Sequence, residues 1–238
     1  MPRFRAHDLH VETKPDLTPV SEADRAVEHE VRERLATDRS GDAVLGEEMG
    51  ETGSGAARRW IIDPIDGTKS YVRGVPAWAT LLALEVDGEM VVGVVSAPAL
   101  GRRWWAARGQ GAFADGDRIR VSEVHALEDA HVCAPNEREF EPRGLDAGWR
   151  EVARQCWRPV GFADFWGHML VAEGAVDAMI EPVLALWDVA ALRPIVEEAG
   201  GRVSDLSGTG WADEAACVTT NGLLHDQILS ILNDRASS

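Results

Sequence analysis

Apolar and polar positions along this chain follow two periods, and the period changes several times. After Ser21 the apolar residues Val27, Val31 and Leu35 recur every four positions, the stripe of a helix packed on one face. Ser21 and Asp24 form a Ser-x-x-Asp capping pattern at its start, and Gly41 is expected to close it. Shorter apolar runs predict strands at Leu9–Thr13, Ala43–Leu45 and Trp60-Ile61-Ile62, the last stopping at Asp63. Glu51–Ala57 reads as a loop. Asp87-Gly88 between Trp78–Val86 and Met90–Ser96 is a hairpin signal. Arg103–Ala107 and Arg118–Val121 continue the strand block, separated by Gly109, Gly111 and Asp115-Gly116.

Beyond this block helices and strands alternate. Strands are expected at His131–Ala134, Val176–Glu181, Val203–Ser204 and Cys217–Thr219. Helices are expected near Trp149–Cys156, Phe165–Glu173, Val189–Ala199 and Leu223–Leu232, the third closed by Gly200-Gly201. A helix, a strand block and then alternation define a layered α/β (α+β) protein, not a regular doubly wound sheet.

The length of 238 residues predicts one catalytic domain over 1–238, divisible into intimate halves 1–126 and 127–238. No run of about 18 apolar residues exists to cross a membrane. The first ten residues carry no secretory pattern. Three cysteines without CxxC spacing fit a reducing, cytoplasmic setting. The net charge of −16 argues against nucleic acid or an anionic membrane as partner and favours metal cations and cationic ligands. The chain has 22 arginines and only two lysines, Lys14 and Lys69, and both fall inside motifs.

The decisive motif is Trp60–Thr68, WIIDPIDGT. A strand delivers Asp63, Pro64 forces a turn, and Asp66 follows three residues later. Two carboxylates on one turn can share a hard cation such as Mg²⁺, and the Ile65 carbonyl between them can add a neutral oxygen. The amides of Gly67 and Thr68, opening a helix, suit a phosphate. Acidic residues elsewhere add to the pattern: Glu47 and Glu48 after a strand, Asp188 at the Val189 helix, and Asp24 in the first turn of its helix. Asp188 and Asp24 could equally serve as a helix cap and a dipole partner.

Together these elements resemble the inositol monophosphatase family of Mg²⁺-dependent phosphomonoesterases. WIIDPIDGT fits its first signature throughout, and Trp187-Asp188-Val189-Ala190-Ala191, followed by Glu198-Ala199-Gly200-Gly201, fits its second. Lys14–Asp24 matches the upstream element loosely, and Gly46-Glu47-Glu48 matches the acidic turn. The resemblance spans essentially the whole chain and is thinnest at the start, where only thirteen residues precede Lys14.

The resemblance implies an αβαβα sandwich and a site built residue by residue. Glu47, Asp63 and the Ile65 carbonyl would hold one metal; Asp63, Asp66 and Asp188 would hold a second, looser one, with room for a third near Glu47. Mn²⁺ would substitute in part and Li⁺ would inhibit. Glu47 and Thr68 would orient and deprotonate the attacking water, supported by Asp24, and the Gly67 and Thr68 amides would bind phosphate. Lys14 would stand near the phosphate, or be a solvated loop lysine. A homodimer is also implied. The haloacid-dehalogenase signature with its nucleophilic aspartate is absent.

The words around the motifs resemble the actinobacterial histidinol-phosphatase subgroup. They include a Lys after DGT, Lys69, and an aspartate–aromatic pair ahead of the Phe165 helix. A substrate carrying an ammonium and an imidazole calls for negative charge and an aromatic wall, which Asp164-Phe165-Trp166 could supply. Asp164, Glu181 and Asp66 could surround the ammonium; alternatively Asp164 caps the Phe165 helix. Trp166 and His168 read as core residues, and Lys69 and Arg73 could meet substrate or a second subunit. The expected activity is hydrolysis of histidinol phosphate. An inositol 1-phosphatase or broader phosphatase, and a non-catalytic metal-binding homologue, are the alternatives.

Overall fold

The computed structural model describes residues 1, 3–13, 19–210 and 213–236; Lys14 lies outside the described residues. In chain order the elements are β1 (Val11–Thr13), β2 (Pro19–Ser21), α1 (Glu22–Asp38), β3 (Ala43–Gly46), β4 (Gly50–Thr52), β5 (Arg58–Asp66), α2 (Thr68–Val72), β6 (Ala79–Val86), β7 (Glu89–Ala97), β8 (Arg102–Ala107), β9 (Gly111–Ala114) and β10 (Asp117–Ile119). The second part adds β11 (His131–Cys133), α3 (Asp146–Gln155), β12 (Arg158–Val160), α4 (Asp164–Ala172), β13 (Ala178–Leu184), α5 (Leu186–Ala190), α6 (Leu192–Glu198), β14 (Arg202–Ser204), β15 (Ala215–Thr220) and α7 (His225–Ala236).

Strands β3 to β10 form one sheet in the order β10-β9-β8-β7-β6-β5-β3-β4, with only β3 and β5 parallel. Strands β11 to β15 form a second in the order β12-β11-β13-β15-β14, where β11 runs parallel to both neighbours. Strand β5 explains why WII is continuously apolar. Ile62 packs with Leu35 of α1 and Val44 on one face. Ile61 packs on the other face with Leu81, Val95 and Trp104, against Phe165 and Met169 of α4 and Ile195 of α6. A strand covered on both faces has no solvent side to mark with polar residues.

Helix α4 also packs on the second sheet, where Val171 meets Cys133 and Met179. The far face of that sheet, with Val132, Ile180 and Val218, is covered by Trp149 of α3 and Ile228 of α7. The layers are therefore α1, large sheet, α4 with α6, small sheet, and α3 with α7. This is the αβαβα sandwich that the resemblance implies.

Several boundaries differ from the sequence reading. Strand β5 does not stop at Asp63: it runs on to Asp66 through an irregularity. Helix α1 ends at Asp38, and Arg39, not Gly41, donates its N–H back to Leu35. The run Val189–Ala199 is two helices meeting at Ala191. Gly200 and Gly201 close it with N–H bonds to Glu197 and Val196 carbonyls of 3.0 and 2.9 Å. Strands β4, β9 and β12 are too short or too polar to have shown a period.

Candidate functional site

The irregularity in β5 makes the acidic centre. Asp63 pairs with Leu81 and Asp66 with Ala79, so β5 carries one more residue than β6 across this interval. Pro64, which has no N–H for the ladder, sits in this bulge, and its carbonyl accepts the Thr80 hydroxyl at 2.8 Å. In a regular strand residues three apart face opposite ways; the extra residue turns Asp66 back towards Asp63. Asp188 approaches from the first turn of α5. It is not the cap residue: its Oδ2 accepts the Ala185 N–H at 2.8 Å. Carboxylate oxygens of Asp63, Asp66 and Asp188 all lie within 4.8 Å of one another.

No cation neutralises this cluster from the described side chains, and its electrostatics show the strain. Asp63 is 2% exposed, and its Oδ1 has no hydrogen-bond partner. Burial, then the charges of Asp66, Glu47 and Asp188, push its pKa well above the carboxylate range. Burial and then Asp164 and Asp188 do the same to Asp66. Asp188 is pushed up to about 7, chiefly by burial, against the opposing Ala185 N–H. A buried carboxylate oxygen without a donor, beside two more carboxylates, fits a hard oxygen-seeking cation.

Glu47 is delivered by the turn after β3, where its N–H donates to the Ile62 carbonyl at 3.2 Å. This turn is held by a residue the sequence reading missed. Glu28, buried on α1, accepts the N–H groups of Glu48 and Met49 at 2.8 and 3.2 Å and pairs with Arg32 at 2.8 Å. A Cβ on Gly46 would overlap the Glu28 carboxylate, so any larger residue there must displace the side chain that holds this turn. The available signal was an acid on the buried stripe of α1, four residues after Asp24.

Asp24 serves both ends of its neighbourhood. Its Oδ2 accepts the Ser21 N–H at 2.9 Å in the expected capping box. Its Oδ1 lies 3.3 Å from the Thr68 hydroxyl, which is also 2.9 Å from the Ile65 carbonyl. That carbonyl keeps a second lone pair. Gly67, at φ +79°, precedes α2, whose first N–H groups have no partner within the helix. A Cβ there would lie 2.9 Å from the Ala77 carbonyl oxygen and 3.2 Å from Asp164 Oδ2.

Asp164 is not a helix cap. It is the first residue of α4, at φ +57°, and its side chain makes no capping bond. The start of α4 is instead held by other carboxylates. Asp66 Oδ2 accepts the Phe165 N–H at 2.6 Å, and Glu181 Oε1 accepts the Asp164 N–H at 3.2 Å. Burial pushes the Asp164 pKa up, with Lys69 opposing and Glu139 adding to the rise. Burial, then Asp164 and Asp66, push buried Glu181 well above its usual range. A second acidic group thus adjoins the first.

Both groups open into one cavity of about 460 Å³, a volume suited to a small molecule. Glu47, Asp63, Ile65, Asp66, Gly67, Thr68, Lys69, Asp164, Glu181 and Asp188 all line it. Asp24 lies buried behind Thr68. Trp166 packs in a tilted pair with Phe162 instead, with ring centroids 5.0 Å apart, and the aromatic lining comes from Phe165 and Trp187. Glu139, Arg143 and Glu214 complete the rim. Glu139 and Arg143 come from single 3-10 turns and Glu214 from a loop, segments whose sequence carries no period to place them. Arg73 is exposed and outside this lining.

A layered α/β sandwich with a buried carboxylate cluster, a glycine-opened helix and a ligand-sized cavity is the arrangement that a metal-dependent phosphomonoesterase needs. Residues 1–236 match the inositol monophosphatase family, and the chain belongs to that family. The histidinol-phosphatase of Mycobacterium tuberculosis is 52% identical over 236 residues, covering 97% of this chain and 91% of that one. The histidinol-phosphatase of Streptomyces coelicolor is 50% identical over 244 residues, covering 99% and 91%. Among solved structures, the IMPase of Thermotoga maritima superposes with a TM-score of 0.87 at 32% identity, covering 99% of this chain and 91% of that one.

Proposed function

We propose that this chain is a Mg²⁺-dependent phosphatase that hydrolyses histidinol phosphate to histidinol and phosphate. The observation that carries this reading is the pairing of two acidic groups in one cavity. The Asp63–Asp66–Asp188 cluster suits metal ions, and the adjoining Asp164–Glu181 group suits the substrate's ammonium. The similarity to histidinol-phosphatases over nearly the whole chain supports the substrate.

In this reading Glu47, Asp63 and the Ile65 carbonyl hold one metal ion, and Asp63, Asp66 and Asp188 hold another, with room for a third beside Glu47. Bound there, Mg²⁺ supplies charge against the phosphate oxygens and makes water more acidic. The Gly67 and Thr68 amides orient the phosphate. Thr68, aligned by Asp24, and Glu47 position water opposite the ester oxygen, and its proton passes either to the Glu47 carboxylate directly or to the Thr68 hydroxyl as that hydroxyl gives its own proton to Asp24. Attack at phosphorus forms a new P–O bond and breaks the ester P–O bond, the departing alkoxide takes up a proton from solvent water to give histidinol, and positioning with charge neutralisation supplies most of the acceleration. Asp164 and Glu181 face the ammonium of the leaving group, and Lys69, which lines the same cavity, meets substrate or a second subunit. The homodimer and the cytoplasmic setting belong to the same reading; light scattering reports the first.

The test compares kcat/KM for histidinol phosphate with that for inositol 1-phosphate, with Mg²⁺ and with excess EDTA. The reading expects preference for histidinol phosphate and no turnover in EDTA. A preference for inositol 1-phosphate removes the substrate assignment, and turnover in EDTA removes the metal assignment.

A further inference from the structure

The cavity contains one buried polar group that this chemistry does not use. His168 stands on α4 four residues after Asp164, on the same helix face. It is 1% exposed and lines the cavity. Its Nδ1 lies 2.8 Å from Thr219 Oγ1, on the small-sheet side of α4, and Thr219 Oγ1 lies 3.9 Å from Cys217 Sγ. Its Nε2 is buried and has no hydrogen-bond partner.

The protonation pattern follows from these neighbours. Burial lowers the His168 pKa to about 3, so the ring is neutral, with one nitrogen a donor and the other an acceptor. Burial pushes Cys217 up to about 12, so it stays a thiol, a weak donor and a weak acceptor. An imidazole nitrogen is the better acceptor for the Thr219 hydroxyl. Thr219 therefore donates to Nδ1, and the hydrogen of His168 sits on Nε2. A buried N–H without an acceptor is costly, and beside the cavity a water or a ligand atom can satisfy it.

We infer that the Nε2–H of His168 donates a hydrogen bond to the imidazole ring of the leaving group and so determines specificity. The inference rests on the histidinol-phosphate reading. Asp164 and Glu181 can take the ammonium but are acceptors when ionised, as is every carboxylate of the cavity. A neutral imidazole presents one nitrogen lone pair, which needs a donor. His168 supplies a donor without adding a positive charge that would compete with the ammonium.

The test uses the Mg²⁺-loaded enzyme with histidinol phosphate and O-phosphoethanolamine, which keeps the amine and lacks the ring. His168→Asn places its amide near the Nδ1 position, whereas His168→Gln places an N–H donor near Nε2. His168→Asn should lower the kcat/KM ratio of histidinol phosphate to O-phosphoethanolamine on the order of ten-fold, mostly through KM, and His168→Gln should restore most of it. An unchanged ratio in His168→Asn, or equal ratios in the two variants, overturns the inference. For the wild-type protein labelled with ¹⁵N-histidine, L-histidinol should shift the His168 Nε2 resonance and ethanolamine should not. No shift overturns the inference without any variant having to fold. If wild-type enzyme hydrolyses p-nitrophenyl phosphate but not histidinol phosphate, the parent reading fails; if it prefers histidinol phosphate and the variants keep that preference, only the role of His168 fails.

Discussion

Asp66 Oδ2 accepts the backbone N–H of Phe165 at 2.6 Å, joining residues 99 positions apart. One carboxylate thereby belongs to two groups. Through its cluster with Asp63 and Asp188 it can reach a metal ion, and through Phe165 it fixes where α4 begins and where Asp164 stands. This bond ties the carboxylate cluster to the start of α4, where Asp164 stands.

Chelation should abolish turnover and Mg²⁺ should restore it, with Mn²⁺ substituting in part and Li⁺ inhibiting. The same cluster makes metal stabilisation depend on pH. Without metal, the folded pKa values of Asp63, Asp66 and Asp188 lie above the unfolded value of about 3.9. The folded state then holds more protons, so this contribution is fullest below about pH 4 and is lost as pH rises; for Asp188 the window ends at about 7. Metal binding holds the carboxylates ionised and removes that loss. The rise in Tm on adding Mg²⁺ should therefore be larger at pH 7.5 than at pH 5. A rise independent of pH would count against carboxylate ligation.

Asp63→Asn removes charge from the most buried member of the cluster, whose Oδ1 has no partner. Turnover should fall by roughly 10²–10³ or more, as expected when a preorganised electrostatic interaction is lost. In EDTA the variant should melt no lower than wild type, because the lost charge was repelled by its neighbours. Near wild-type kcat would refute the metal role of Asp63.

Gly46→Ala forces a methyl into the Glu28 carboxylate, which holds the Glu48 and Met49 amides. Overpacking of this kind costs about 1–3 kcal/mol, so Tm should drop by several degrees. Activity should fall with it, since Glu47 rides on this turn. Adding Glu28→Ala to Gly46→Ala should recover part of the stability, and a purely additive pair of melts would show that the two side chains do not compete for space.

Asp164→Asn removes a charge while keeping a side chain that tolerates φ +57°. If Asp164 meets the ammonium, kcat/KM for histidinol phosphate should fall about ten- to a hundred-fold relative to p-nitrophenyl phosphate, which has no amine. A parallel loss on both substrates would assign Asp164 to positioning Gly67 instead, whose backbone lies beside its carboxylate.

The sequence by itself determined the class of the protein. The capping box at Ser21 and Asp24, the Asp87-Gly88 hairpin and the glycine closure after Glu198 are short-range signals, and each is realised where it was expected, whereas the strand of WIIDPIDGT runs on past Asp63 to Asp66. Helix capping and tight turns depend on residues three or four apart, so local chemistry is enough to specify them. The candidate ligands Asp63, Asp66, Asp188 and Glu47 were legible for the same reason: each belongs to a motif. Tertiary structure decided how they act. Only pairing with β6 reveals that the Asp63–Asp66 interval is a bulge, which turns the two carboxylates together. From its position Asp164 offered two readings, an ammonium-facing acid or a cap of the Phe165 helix; the carboxylates that hold that helix come from Asp66 and Glu181, and no local pattern announces them. Glu28 and the unpaired nitrogen of His168 acquire meaning only through what the fold packs around them, since burial and hydrogen-bond satisfaction are properties of the assembled neighbourhood and not of the residue.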